Sequence, residues 1–413
     1  MERIVLPGRL DGRLMPPSSK SYAQRALAAA LLTRGRTVLR AVDDCSDTLS
    51  ALACIRTLGA AVQTDGDTYI IDGGLAPQGD VLHVGESGLA ARLFTPIAAL
   101  ADRRLRIEGR GSLLERPMTM MIDPLRGLGA TLHDSAGFLP FEICGPLHGG
   151  EIEVDGSVSS QFITGLLLAL PTAAADTTLH VRDAVSIPYL DMTIDTAARF
   201  GVEIFHKEYS EFFIPGGQRY CPVDLTIEGD WSAAAMLLVA GAVAGRVRVE
   251  NISPLSKQAD TSILRALVRA GAFVIDEADA VTVESRPLHG FEFDATQCPD
   301  LFPALAALAA SAEGETVLRG THRLVHKESN RAESIRSEYG KLGIEVDLSQ
   351  EDVMRIRGGA IRAARVSGCH DHRMAMSLAV AALAADAPLT IDGAECVAKS
   401  YPDFFEELER LRQ

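Results

Sequence analysis

The residues of this 413-residue chain best suited to chemistry are cations placed where a cation is out of place. Lys20 and Arg25 in "SKSYAQR", Arg92 in "ESGLAAR" and Arg373 in "CHDHR" all stand at or near the start of an apolar, alanine- and leucine-rich run that reads as a buried helix. A helix N-terminus carries unpaired N–H groups and about half a positive charge, so a cation there opposes the dipole. A bound anion between them removes the conflict, and several such N-termini that converge make an anion site. Loops add more cations. Arg116 stands just before Pro117 in "RGSLLERPM", where Pro117 reads as the first-turn residue of a surface helix. Arg323, Lys327 and Arg331 accompany Glu328 in "THRLVHKESNR", and Lys399 lies in "CVAKSYPDFF". Taken singly, Ser159, Ser232 or Asp230 is an ordinary helix cap, and a loop cation is an ordinary solvated side chain. Their recurrence at one phase of the sequence argues against both readings.

That phase is set by a repeat. Lys20, Gly88, Gln161, Ser232, Asp300 and His372 mark the starts of six similar apolar runs, 68 to 73 residues apart. Gly59, Gly129, Gly201, Gly271 and Gly343 keep the same beat; each ends an amphipathic helix and leads into a strand, turn and strand. Glycine is expected just past a helix C-terminus, where φ turns positive. Each repeat reads as βαβαββ with one buried and one surface helix. The expected fold class is α/β (α+β), with two domains of three units each, helices inside and sheets outside. The sixth repeat runs off the end of the chain, so the N-terminal "RIVLPGRLDGRLM" is expected to supply its missing strands. Residues 1–18 and 229–413 then form one domain and 19–228 the other, with the active site expected in the cleft between them.

Composition bounds the partners. A formal charge of −15 argues against nucleic acid and confines any anion site to a local basic pocket. Seven cysteines without a CxxC pair point to neither a disulfide framework nor a structural zinc site. No stretch of 18 uninterrupted apolar residues occurs and "MERIVLPGRLDG" lacks a signal composition, so no membrane partner and a cytoplasmic location are expected.

The segments "PSSKSYAQRAL", "RGSLLERPM", "SSQFITGLLLALP", "SIPYLDMT", "HKESNR", "CHDHRMAMSLAVAALAA" and "AKSYPDFF" resemble, in order and across nearly the whole chain, the signatures of the 5-enolpyruvylshikimate-3-phosphate synthase family. The resemblance implies the two-domain fold of six units. It also implies transfer of the enolpyruvyl group of phosphoenolpyruvate to the 5-hydroxyl of shikimate 3-phosphate, with release of phosphate, by a monomer without metal or cofactor.

By the same resemblance, Lys20, Ser21, Arg25, Ser159, Ser160, Gln161, Ser186, Tyr189, Asp300, Arg323 and Lys327 would bind shikimate 3-phosphate. Lys20, Gly88, Arg116, Gln161, Arg331, Arg373 and Lys399 would bind phosphoenolpyruvate, because guanidinium pairs well with carboxylate and phosphate. Asp300, Glu328, Lys20 and Lys399 would be catalytic, with Glu328 working best as a general acid or base at a raised pKa. The segment Glu86, Ser87, Gly88, Leu89 stands where the family commonly has Asn-Ala-Gly-Thr, and Arg323 where an asparagine is usual. Glu86 is expected to turn away from the donor or to pair with Arg92 or Arg323. UDP-N-acetylglucosamine enolpyruvyl transferase and a noncatalytic phosphosugar-binding protein are the alternatives. The former typically carries a cysteine in the loop that here reads "RGSLLERPM".

Overall fold

The six apolar runs form helices Lys20–Leu32, Gly88–Ala98, Gln161–Ala169, Trp231–Ala244, Phe302–Ala310 and His372–Ala382. The computed structural model describes residues 1–325 and 327–413, with the backbone alone at 134 and 135; His326 of "HKESNR" lies outside the described residues. Alanine and leucine favour the helix and leave no polar atom to satisfy, so these segments tolerate burial on every side. Four of the six starts are capped by a side chain: Ser19, Ser87, Asp230 and Asp371 accept hydrogen bonds from the N–H groups of Tyr22, Ala90, Ala233 and Arg373.

The chain forms two compact units. A continuous unit spans Ser18–Ile227, and a split unit joins Met1–Pro17 to Glu228–Gln413. In the continuous unit the Gly88–Ala98 helix packs on both other buried helices; in the split unit all three buried helices pack on one another. One contact explains a glycine. Pro96 lacks the N–H that would bond to the Arg92 carbonyl, and a Cβ at Gly165 would fall 2.4 Å from that oxygen. Gly165 thus lets two helices meet backbone to backbone.

Every sheet begins with a parallel pair and continues antiparallel. In five of the six sheets formed by the described residues there are four strands; the sixth has three. The N-terminal segment differs from expectation. Glu2–Val5 pairs antiparallel with Leu389–Asp392 and completes the sixth sheet, but Leu10–Leu14 joins the fourth repeat, parallel to Gly245–Glu250. Asp224–Thr226 in turn pairs with Arg36–Arg40 of the first repeat. The strands that precede the buried helices Lys20–Leu32 and Trp231–Ala244 in sequence have been exchanged between their repeats, which is why the chain passes between units twice. Gly59, Gly129, Gly201, Gly271 and Gly343 all have positive φ, from 78° to 115°, as expected of a residue just past a helix end. Among the described residues no helix is long and apolar enough to cross a membrane.

Candidate active site: two charged clusters

In the continuous unit the cluster is built on helix starts. Arg92 lies one turn into the Gly88–Ala98 helix, 3% exposed, and donates to Gln161 Oε1 at 2.7 Å and to the Pro117 carbonyl at 3.0 Å. The Arg116 guanidinium covers Gly88: a Cβ there would fall 2.7 Å from Arg116 Nη1 and 3.2 Å from Arg92 Nη1. Glycine is thus what admits both guanidinium groups to the helix start. Neither arginine makes an ion pair among the described residues, and the Nε of each is buried without a hydrogen-bond partner. Burial, then the charge of Arg116, pushes the Arg92 guanidinium down to about 9, still a cation at neutral pH. Two adjacent cations above a helix N-terminus, without a carboxylate, form a positive site that an anion would neutralise.

The other residues expected in this unit have partners of their own. Lys20 Nζ meets Asp47 Oδ2 at 2.9 Å. Ser159 Oγ accepts the Gln161 N–H at 3.2 Å, Ser160 is buried, and Ser186 takes the left-handed conformation (φ 57°) at the start of the helix that carries Tyr189. A left-handed serine stores strain, which folds tolerate chiefly at functional sites. Arg25 is more structural than expected. Its donors go to Thr193 Oγ1, the Ser21 carbonyl, Thr164 Oγ1 and the Tyr189 carbonyl at 2.8 to 3.3 Å, tying three helices together. Burial lowers its guanidinium to about 10.

The split unit carries a denser cluster. Asp300 Oδ1 lies 2.6 Å from Arg331 Nη1, 3.2 Å from Lys327 Nζ and 3.3 Å from Arg373 Nη1. Glu328 Oε2 lies 2.7 Å from Arg331 Nη2, and Glu328 Oε1 lies 3.3 Å from Lys399 Nζ. Arg331, fully buried, also donates through Nε to Asp371 Oδ2 at 2.7 Å, so one guanidinium fork links three carboxylates. Burial alone would push the Glu328 carboxyl up, but Arg331, Lys399, His372 and Arg373 outweigh it and hold it well below the usual carboxylate range. Asp300 is held low in the same way by Arg373, Lys327 and Arg331. Glu328 is therefore a carboxylate here, opposite to the raised pKa that would best suit a general acid. Arg323 donates to the Thr296 carbonyl at 3.3 Å.

Glu86 departs from expectation in part. Its exposed carboxylate lies against the backbone of Gly111, and it pairs with neither Arg92 nor Arg323. Pro117 does not open a helix directly: a 3-10 turn at Thr119–Met121 comes first, and the α-helix is Ile122–Gly127. Sequence reasoning noted Arg92 and Asp371 at helix mouths but assigned neither a place in the site; the misfit of Arg92 with its helix dipole was the available signal. Among the described residues no group of three or more His, Cys, Asp or Glu side chains is arranged to hold a metal ion.

The model of the EPSP synthase (3-phosphoshikimate 1-carboxyvinyltransferase) family matches residues 5–408. The chain is 40% identical over 412 residues to the 3-phosphoshikimate 1-carboxyvinyltransferase of Thermococcus kodakarensis, covering 99% of each. To that of Aeropyrum pernix it is 37% identical over 409 residues, covering 99% of this chain and 95% of the relative. The solved structure of EPSP synthase from Acinetobacter baumannii is similar with a TM-score of 0.86 at 28% identity, covering 100% of this chain and 98% of that one.

Proposed function

Since the chain belongs to the EPSP synthase family, we propose that its two charged clusters act on one pair of substrates, phosphoenolpyruvate and shikimate 3-phosphate. The reaction is enolpyruvyl transfer in the shikimate pathway: the enolpyruvyl group passes to the 5-hydroxyl of shikimate 3-phosphate and phosphate leaves. The observation that carries the residue assignment is the pair Arg92 and Arg116 above Gly88, two cations with no carboxylate to neutralise them. The donor's carboxylate and phosphate supply that neutralisation, with Arg331, Arg373 and Lys399 as further cations and Lys20 facing both substrates.

Asp300 and Glu328 divide the proton work. The addition takes a proton from the attacking hydroxyl and delivers one to the methylene carbon; phosphate is then eliminated from the resulting tetrahedral ketal. Asp300 begins ionised and held low by Arg373, Lys327 and Arg331, and it gains the basicity to receive the hydroxyl proton as the substrate anions draw on those cations. Glu328 begins ionised because Arg331 and Lys399 face it. A donor anion that draws on the same two cations weakens their hold, raises the proton affinity of Glu328 and turns it toward general-acid duty. Ser21, Ser159, Ser160, Gln161, Ser186, Tyr189, Arg323 and Lys327 hold shikimate 3-phosphate in this reading, with Arg25 positioning the helices that carry Ser21, Gln161 and Tyr189.

The protein is expected to work as a cytoplasmic monomer. Transfer to UDP-N-acetylglucosamine is not favoured, given the family match and the absence of a thiol from "RGSLLERPM". Phosphate release from phosphoenolpyruvate, measured with each acceptor, tests the assignment. Turnover is expected with shikimate 3-phosphate and none above background with UDP-N-acetylglucosamine; the reverse result would overturn it.

A further inference from the structure

Asp260 has no role in the chemistry above, yet it lies against it. It sits in the 3-10 turn Ala259–Ser262 and is 2% exposed. Its Oδ2 accepts a hydrogen bond from Ser232 Oγ in the first turn of the Trp231–Ala244 helix, while its Oδ1 is buried with no partner. Arg373 Nε, on the neighbouring buried helix, is likewise buried without a partner. One cluster thus holds an orphan acceptor and an orphan donor. A buried carboxylate with an unpaired oxygen is costly as an anion and far less so as the neutral acid.

The groups that face Asp260 are Asp300 from the turn Pro299–Leu301, Asp230 from the cap of Trp231–Ala244, Arg373 from His372–Ala382, and the thiol of Cys298. Burial first, then the charge of Asp300, pushes the carboxyl up to about 7, against the pull of Arg373 and Ser232. Ion pairs already join Lys327, Arg331, Arg373 and Lys399 to Asp300, Glu328 and Asp371, so Asp260 is a further carboxyl beside a cluster whose cations are already shared.

We propose that Asp260 is a positioning residue that couples anion binding in the split unit to the uptake of one proton. An anion that engages Arg373 takes over the cation that most favours the ionised Asp260, whose carboxylate then binds a proton from solvent; only an O–H bond forms. Asp260 touches no ligand in this scheme. It surrenders its own charge so that the ligand's charge replaces it. The inference rests on the reading of this cluster as an anion site and is independent of which acceptor the enzyme uses.

Inorganic sulfate is the probe, because its charge stays constant between about pH 6 and 9. Calorimetric titration near pH 7.5, in two buffers of different ionisation enthalpy, counts the protons taken up per sulfate bound. The wild-type protein is expected to take up about half a proton or more, and Asp260→Asn close to none. Wild-type affinity should fall toward tenfold per pH unit above about 7, while that of Asp260→Asn stays flat. Ser232→Ala removes the hydrogen bond that favours the ionised carboxyl, so it should move the midpoint of uptake to higher pH; it also serves if the asparagine variant does not fold. Equal uptake by wild type and Asp260→Asn, or an unmoved midpoint in Ser232→Ala, overturns the proposal alone. Failure of sulfate to bind at all overturns the anion-site reading and this proposal with it.

Discussion

At Glu328 burial and charge pull in opposite directions, and charge wins. A carboxyl held below its unfolded value contributes stability that is complete above that value, near 4, and is lost as pH falls through the folded one. Glutamine has no proton to bind, so Glu328→Gln should flatten the loss of stability below about pH 4. Urea titrations of both proteins at pH 6 and pH 3 measure this, and equal losses would show that Glu328 is not held low. In activity the same substitution should lower kcat by roughly a hundredfold or more, the usual loss for a group that moves a proton, with shikimate 3-phosphate affinity within a few-fold. Near-normal turnover would remove Glu328 from the chemistry.

Among the elements, the contact at Gly165 sets helix spacing beneath the arginine pair. Propensity by itself favours alanine over glycine in a helix by about 1 kcal/mol. At Gly165 a new Cβ would meet the backbone oxygen of Arg92, which cannot swing aside as a side chain would, and overpacking of this kind costs about 1–3 kcal/mol. The clash should outweigh the propensity, so Gly165→Ala should destabilise by about 1 kcal/mol. Gly340 supplies the control, an exposed glycine in the helix Arg331–Lys341 with nothing within 4 Å of an added Cβ. There Gly340→Ala should stabilise by about 0.5–1 kcal/mol. Opposite signs from denaturant midpoints confirm the packing argument; two stabilisations would refute it.

On the scale of the whole molecule, the exchanged strands make the two units unequal. Ser18–Ile227 contains every strand of its three sheets, including Asp224–Thr226. Expressed alone, it should fold and unfold cooperatively by circular dichroism. A fragment of 228–413 alone lacks Glu2–Val5 and Leu10–Leu14, which leaves two sheets with an unpaired row of backbone groups. It should be poorly folded or aggregated, and a peptide of residues 1–17 should rescue it. A well-folded 228–413 fragment without the peptide would show that those strands add little.

The repeat, the buried helices, the glycine at each surface-helix end and the cations at helix mouths were all legible in the sequence. Each rests on a local rule: apolar composition, the φ that only glycine adopts readily, or a charge that opposes a dipole. Tertiary structure alone decided where Leu10–Leu14 pairs, because parallel pairing carries no register in the strand itself and depends on which helix packs beneath it. It alone set Glu328 as a carboxylate: Arg331 is three residues away in the same segment, but the geometry that turns it onto Glu328 at 2.7 Å, and the approach of the distant Lys399 to 3.3 Å, come from packing. It also placed Glu86 against Gly111 and gathered Asp300, Glu328 and Asp371 around one guanidinium. Proton affinity and pairing are properties of neighbours, and neighbours distant in sequence are brought together only by the packed chain.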